Sequence, residues 1–253
     1  MRIKYIQIAS LMTMRELIRR KIVIILLLII PSVFYAVTYL TTDLMNIPFK
    51  LAAVPGEPIL IIPARHIALV FLGLASTGLL AAFLSMNLIQ KNINVTRRLV
   101  ICGYSPTELA LSKLIVMSCI IILLGFYVGS MLWIFFSPAH FLKVIFGFVL
   151  LGFVYGSYGM LVGALLKGEL ESILVITLLA NIDVGWLQNP IFYAAALNKV
   201  IIQGLPAFYP SQISIISAFS DHSIMRSSGW SIVYGAALLC ISLLIFWIKM
   251  RKR

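Results

Sequence analysis

The basic residues of this chain stand at the ends of long apolar runs, and that placement turns a hydropathy profile into an oriented membrane protein. Five mostly apolar runs, 22–40, 67–88, 114–136, 144–166 and 230–248, are each long enough to cross a hydrocarbon core of about 30 Å as a helix. A sixth, 173–187, is shorter and more broken. If all six span, the loops alternate sides and both termini share one. On that side fall Arg2, Lys4, Arg15, Arg19, Arg20, Lys21, Lys91, Arg97, Arg98, Lys113, Lys167, Lys249, Arg251, Lys252 and Arg253, leaving only Lys50, Arg65, Lys143, Lys199 and Arg226 on the other. The positive-inside rule assigns the richer side, and with it both termini, to the cytoplasm of a multi-pass cell-membrane protein.

Composition closes off other classes. With 62% hydrophobic and 11% charged residues, and a mean hydropathy of +1.07, the chain has too little polar surface for a soluble domain. It reads as one transmembrane domain over 1–253. The net charge of +12 flanks apolar spans instead of forming one basic face, so anionic lipid headgroups are the expected counterions, not nucleic acid. Cys102 falls in a cytoplasmic loop while Cys119 and Cys240 fall inside spans, so no disulfide framework is legible. Residues 1–21 are too polar for a signal-peptide core, and the first apolar run is expected to stay as an anchor.

The N-terminal stretch has helical periodicity. Ile3, Ile6, Leu11, Met14, Leu17 and Ile18 share one arc, with Lys4, Arg15, Glu16, Arg19 and Arg20 opposite, which predicts an amphipathic helix along the inner leaflet. The first span carries Pro31 in its middle, where a lost backbone hydrogen bond predicts a kink, and Tyr35 follows one turn later. The loop 41–66 is broken by Pro48, Pro55, Gly56, Pro58 and Pro63 and shows no sign of a folded unit.

The loop 90–108 has the most specific grammar. Residues 95–102 make a helix-sized piece, from Val95 to Cys102, with Arg97 and Arg98 exposed and Leu99 and Ile101 apolar, and Gly103 stops it as a C-cap glycine would. Ser105 then stands three residues before Glu108 with Pro106 between them, a capping box with proline at the first helical position.

These features together resemble the membrane subunit of an ABC-2 type transporter: a basic amphipathic N-terminal helix, six spans, an Arg-Arg-Leu helix after the second span, and the turn from Gly103 through Ser105, Pro106 and Glu108 to Lys113. The resemblance covers essentially the whole chain. It implies that Val95, Arg97, Arg98, Leu99, Ile101, Cys102, Ser105 and Glu108 form a coupling element docked on a separate cytoplasmic ATP-binding cassette ATPase, which holds ATP and Mg, no cofactor sitting on this chain. It further implies a second permease subunit, identical or similar, and export of lipids, lipid-linked glycans, drugs or hydrophobic and antimicrobial peptides. The fold expected is all-α integral membrane: six transmembrane helices, an N-terminal interfacial helix, and short re-entrant or interfacial helices between spans five and six.

That last segment, 188–229, is too apolar for a solvated loop and too interrupted, by Pro190, Gly204, Pro206 and Pro210, to span. Either its pieces dip into the outer leaflet or they pack on the outer ends of the spans. Three GxxxG pairs, Gly125/Gly129, Gly152/Gly156 and Gly159/Gly163, predict close helix approach within the subunit. Asp183 lies late in the fifth span beside Asn181. An intramembrane carboxylate points to function, so Pro31, Tyr35, Asn181 and Asp183 are the candidates for a substrate path; the alternative puts Asp183 at the outer interface. Glu169 and Glu171 read as a solvated turn or a second partner contact.

Enzymatic chemistry has little support in the sequence. His66, His140 and His222 lack metal-ligand spacing, no serine sits in G-x-S-x-G, and no G-x-x-x-x-G-K-[ST] occurs, so energy for pumping has to enter through a partner. Two other classes stay open: a substrate-capturing membrane subunit of an ATP-driven micronutrient importer, and an integral-membrane enzyme.

Overall fold

Lipid offers no partner to a backbone N–H or C=O, so long runs of Leu, Ile, Val and Phe resolve into helices that satisfy themselves. The computed structural model describes residues 3–91 and 93–251, the side chains of Asn94, Arg97, Met250 and Arg251 excepted. Six of its helices are long and apolar enough to cross a membrane: α2 (Lys21–Thr41), α3 (Ala64–Gln90), α5 (Pro106–Phe135), α6 (Phe141–Leu165), α7 (Glu169–Ile182) continued by a π-helical turn (Asp183–Leu187), and α11 (Met225–Arg251). The chain is a predominantly α-helical, multi-pass membrane protein. A separate helix α1 (Ile3–Arg19) precedes α2, and α4 (Ile93–Ile101) joins α3 to α5. Helices α1 and α4 and the last turn of α11 share one end of the bundle, the basic end. Of the cations assigned to that end from the sequence, Arg2, Lys252 and Arg253 lie outside the described residues.

Helices α3 and α6 form the centre, buried along most of their length, while α2, α7 and α11 expose most of theirs. Small residues set the spacing. Gly125 and Gly129 of α5 face Val149 and Ile145 of α6, and Gly152 and Gly156 of α6 face Ile121 and Met117 of α5. Gly159 lies directly against the Ala82 carbonyl of α3, leaving no room for a side chain. The expected close approach is thus packing within the subunit. Pro31 is buried within an α2 that runs unbroken as a helix from Lys21 to Thr41.

At the opposite end the loop after α2 differs from its sequence-based expectation. It forms an antiparallel hairpin, β1 (Asn46–Lys50) with β2 (Ile59–Pro63), paired Asn46↔Pro63 through Lys50↔Ile59. Its prolines are compatible with strands because two-stranded ribbons have free edges. Pro55 and Gly56 build the turn: Gly56 takes φ 85° and the Glu57 N–H donates to the Val54 carbonyl at 3.1 Å, as a type II turn requires. Phe49, Leu51 and Val54 are buried and fasten the hairpin to the core.

Between α7 and α11 lie α8 (Pro190–Ala195), α9 (Lys199–Gln203) and α10 (Phe208–Phe219). Helix α10 is buried from Phe208 to Ala218 apart from Tyr209, packed among α3, α6 and α11. Its last carbonyls are used: Ala218 and Ser217 accept from the N–H groups of Ala139 and His140, at 3.0 and 2.9 Å, in the turn joining α5 to α6.

Candidate functional site

At the basic end, α4 is fixed at its C-terminal connection. Cys102 donates to the Arg98 carbonyl (3.0 Å), Gly103 to Val100 (3.1 Å) and Tyr104 to Leu99 (3.0 Å), with Gly103 at φ 95°. The last two bonds with a left-handed glycine are a Schellman motif. One residue later the Ser105 N–H donates to Glu108 Oε2 at 3.2 Å, completing the capping box that starts α5. Only Gly103 and Tyr104 separate α4 and Cys102 from the cap, and the Tyr104 ring packs edge-on against Tyr5 of α1 at 4.8 Å.

Exposure along α4 has a clear sidedness. Val95, Arg98, Ile101 and Cys102 point outward, Leu99 is half-buried and Thr96 is buried. The fully exposed apolar side chains are therefore Val95 and Ile101, with Leu99 covered in part. The Arg97 side chain lies outside the described residues. Ser105 is half-buried and Glu108 buried.

Thr96 faces an unexpected neighbour. Lys113, expected among the headgroup-facing cations, is buried in α5; its ammonium donates to Thr96 Oγ1 at 3.3 Å and sits 5.2 Å from the centroid of Phe246 on α11. A buried ammonium needs such partners, and cation–π contact supplies one. Lys249 also turns inward: its ammonium donates to the Ala164 and Leu165 carbonyls, capping the C-terminus of α6.

The second assembly is at the hairpin end, around Asp183. Its side chain is inaccessible to solvent. Oδ2 accepts from the Tyr155 hydroxyl of α6 at 2.7 Å and from the Ala207 N–H at 2.8 Å; Oδ1 accepts from Gln188 Nε2 at 2.7 Å. Among the described residues no Lys, Arg or His pairs with it. Ala207 is the cap residue of α10, so the carboxylate lies where the helix N-terminus presents unsatisfied donors and positive dipole. The wide π turn, rare outside functional or strained places, is what carries Asp183 at the end of α7. Asp183 thus joins α6, α7 and α10 through three donors. Burial within the protein, not exposure at its surface, is its state.

The four residues expected to share a path are not brought together. Asn181 is exposed on α7. Pro31 and Tyr35 are buried on α2, where the Tyr35 hydroxyl donates to the Val128 carbonyl at 3.1 Å and occupies the space a side chain at Gly73 would need. Thr96, Lys113, Tyr155, Gln188 and Ala207 were missed. Of these only Lys113 stood out in the sequence, and there as a cation flanking the apolar run 114–136.

No protein-family model matches the chain, and no curated protein matches it.

Proposed function

We propose that this chain is the transmembrane permease subunit of an ABC-2 type transporter, working with a second identical or similar subunit on a separate cytoplasmic ATPase. The observation that carries the reading is α4: nine residues locked at their C-terminal end by a Schellman motif and a capping box, with Val95, Arg98 and Ile101 turned outward. A surface helix so tied transmits force to α5 instead of absorbing it. In this reading both termini and α4 lie in the cytoplasm. Nucleotide and Mg bind the ATPase, and closure of the ATPase pair displaces α4. Thr96 and Lys113 pass that displacement on toward α5 and α11. The apolar interior suits export of a hydrophobic or amphipathic substrate: an antimicrobial peptide, a lipid or a drug.

Purification in mild detergent tests this. A stoichiometric ATPase is expected to accompany the wild-type chain and to be lost from Ile101→Asp, a change at an exposed position that leaves the fold intact. Apolar anchors dominate such interfaces, with rim charges near Arg98 contributing about 1 kcal/mol or less. No bound ATPase on the wild type, or full retention in both Val95→Asp and Ile101→Asp, overturns the reading.

A further inference from the structure

The hairpin presents one edge that none of the described residues covers. Ladder bonds join Ala64 N–H to the Met45 carbonyl at 2.9 Å and Leu51 N–H to the Pro58 carbonyl at 3.1 Å. With the register of the pair, hydrogen-bonded positions therefore recur at 47/62 and 49/60, and Pro48, which has no N–H, falls opposite Ile61 at a non-bonded position. The backbone groups of Ile59 and Ile61 point away from β1. Among the described residues they take no other partner.

The two edges of this ribbon are not equivalent. On the β1 side Pro48 lacks a donor, Lys50 adds a charge, and α8 packs against the strand. On the β2 side the uncharged run Ile59-Leu60-Ile61-Ile62 precedes Pro63, which ends the strand, and Ile59 and Ile61 are 62% and 72% exposed. Nearby charges already have partners: Glu57 accepts from Lys199 at 2.8 and 3.0 Å, and Arg65 donates to the Thr42 carbonyl at 2.8 Å. An apolar edge with free backbone groups is a template for strand addition.

We propose that β2 pairs antiparallel with β2 of a second copy of this chain, centred on Leu60. The parity favours this occupant. About that centre, Ile59 of each copy meets Ile61 of the other and the two exchange their N–H and C=O groups, so the free groups of both isoleucines are used on both edges. The same symmetry stacks exposed isoleucines in cross-strand pairs and brings no like charges together. A four-stranded sheet results, which is more stable than two isolated ribbons. This goes beyond the permease reading and does not depend on the ATPase.

The test uses the full chain in membranes, with Cys102, Cys119 and Cys240 replaced by serine. Under mild oxidation Leu60→Cys is expected to form a disulfide-linked dimer, because the two centres face each other directly at about 4.5 Å between Cα atoms. Ile62→Cys, far from its counterpart in this register, is expected to stay monomeric. Because Leu60 is half-buried, a second pair guards against misfolding: differently tagged Ile59→Cys and Ile61→Cys chains, altered only at exposed positions, are expected to cross-link when coexpressed. Ile61→Pro, which removes an outward donor, should lower the Leu60→Cys yield several-fold. Failure of both the Leu60→Cys and the Ile59→Cys/Ile61→Cys cross-links overturns the proposal, as does equal cross-linking at Leu60 and Ile62. Native mass spectrometry separates the two readings: two copies with ATPase but no strand cross-link sinks this inference alone.

Discussion

The Lys113 ammonium reaches the Thr96 hydroxyl across 3.3 Å, so a cation buried in α5 is tied to the inner face of the surface helix α4. Hydroxyl and ammonium are both shielded from water, and the bond therefore counts for more than a surface contact.

Thr96→Val keeps the shape but removes the acceptor, and should cost about 1–3 kcal/mol by stranding a buried donor. Lys113→Met in the same chain should recover part of that loss, since the unpaired charge is then gone. Thermal melts of the four species in detergent give the coupling. Strict additivity would show that the two side chains do not interact.

Asp183→Asn should loosen α10 without unfolding the bundle. The amide lacks the charge that favours the Tyr155 and Ala207 donors, and its own NH₂ opposes that of Gln188. Faster hydrogen exchange is expected at Ala207 and through the first turn of α10, with α3 and α6 unchanged. Asp183→Ala should go further, costing about 1–3 kcal/mol for each donor left unpaired. Unaltered exchange in both would remove Asp183 as the anchor of α10.

Two glycines should respond oppositely to alanine. At Gly159 the new methyl group meets the Ala82 carbonyl, and overpacking of this kind typically costs about 1–3 kcal/mol. At Gly229, on α11, nothing lies within 4 Å of the added carbon, so alanine should stabilise by about 0.5–1 kcal/mol through helix propensity. Equal melting temperatures for the two variants would contradict the packing of α6 on α3.

The hairpin tip should respond to acid. The Lys199 ammonium, hydrogen-bonded to Glu57, holds its carboxyl below the usual carboxylate value. A carboxyl lowered on folding contributes stability that is present above its unfolded pKa of about 4.3 and is lost as pH falls through the folded value. Protection of the hairpin against exchange should hold from neutral pH to about 5 and fall off below about 4, while Glu57→Gln shows no such step. The effect should shrink in high salt, because the pair is partly exposed. A pH step that persists in Glu57→Gln would assign it elsewhere.

Orientation is checked with single cysteines in the serine-substituted chain. Thr107 and Ser223 are both exposed and lie at opposite ends of the bundle, so Thr107→Cys and Ser223→Cys should label from opposite sides of intact cells. Ser211, on the same loop-derived segment as Ser223, is fully buried in α10 and should stay unlabelled. Labelling of both exposed positions from one side would refute the six-span topology.

What the sequence revealed and what it hid divide along a physical line. Spans, the stop at Gly103 and the box at Ser105 and Glu108 depend on composition or on residues within a few positions, and all were legible. The hairpin was hidden because proline-rich stretches read as irregular unless the partner strand is known. Asp183 stood out as a charge in an apolar run, yet its three donors lie 5, 24 and 28 residues away. Lys113 looked like one more flanking cation, since its burial depends on α4 and α11 closing over it. Leu99 and Ile101 were both apolar, and only the packed helix separates the half-buried one from the exposed one.

Helix α10 is too short to cross a membrane and carries Ser211, Gln212, Ser214 and Ser217 into the interior, so lipid alone gives it no stable place. Three parts of its seat, α3, α6 and the Asp183 carboxylate, precede it in the chain, and α11 follows. A chain leaving the ribosome therefore builds the socket before the piece that fills it. The last span then acts as the closing wall, and synthesis halted just before Met225 would leave α10 seated with one side open to lipid.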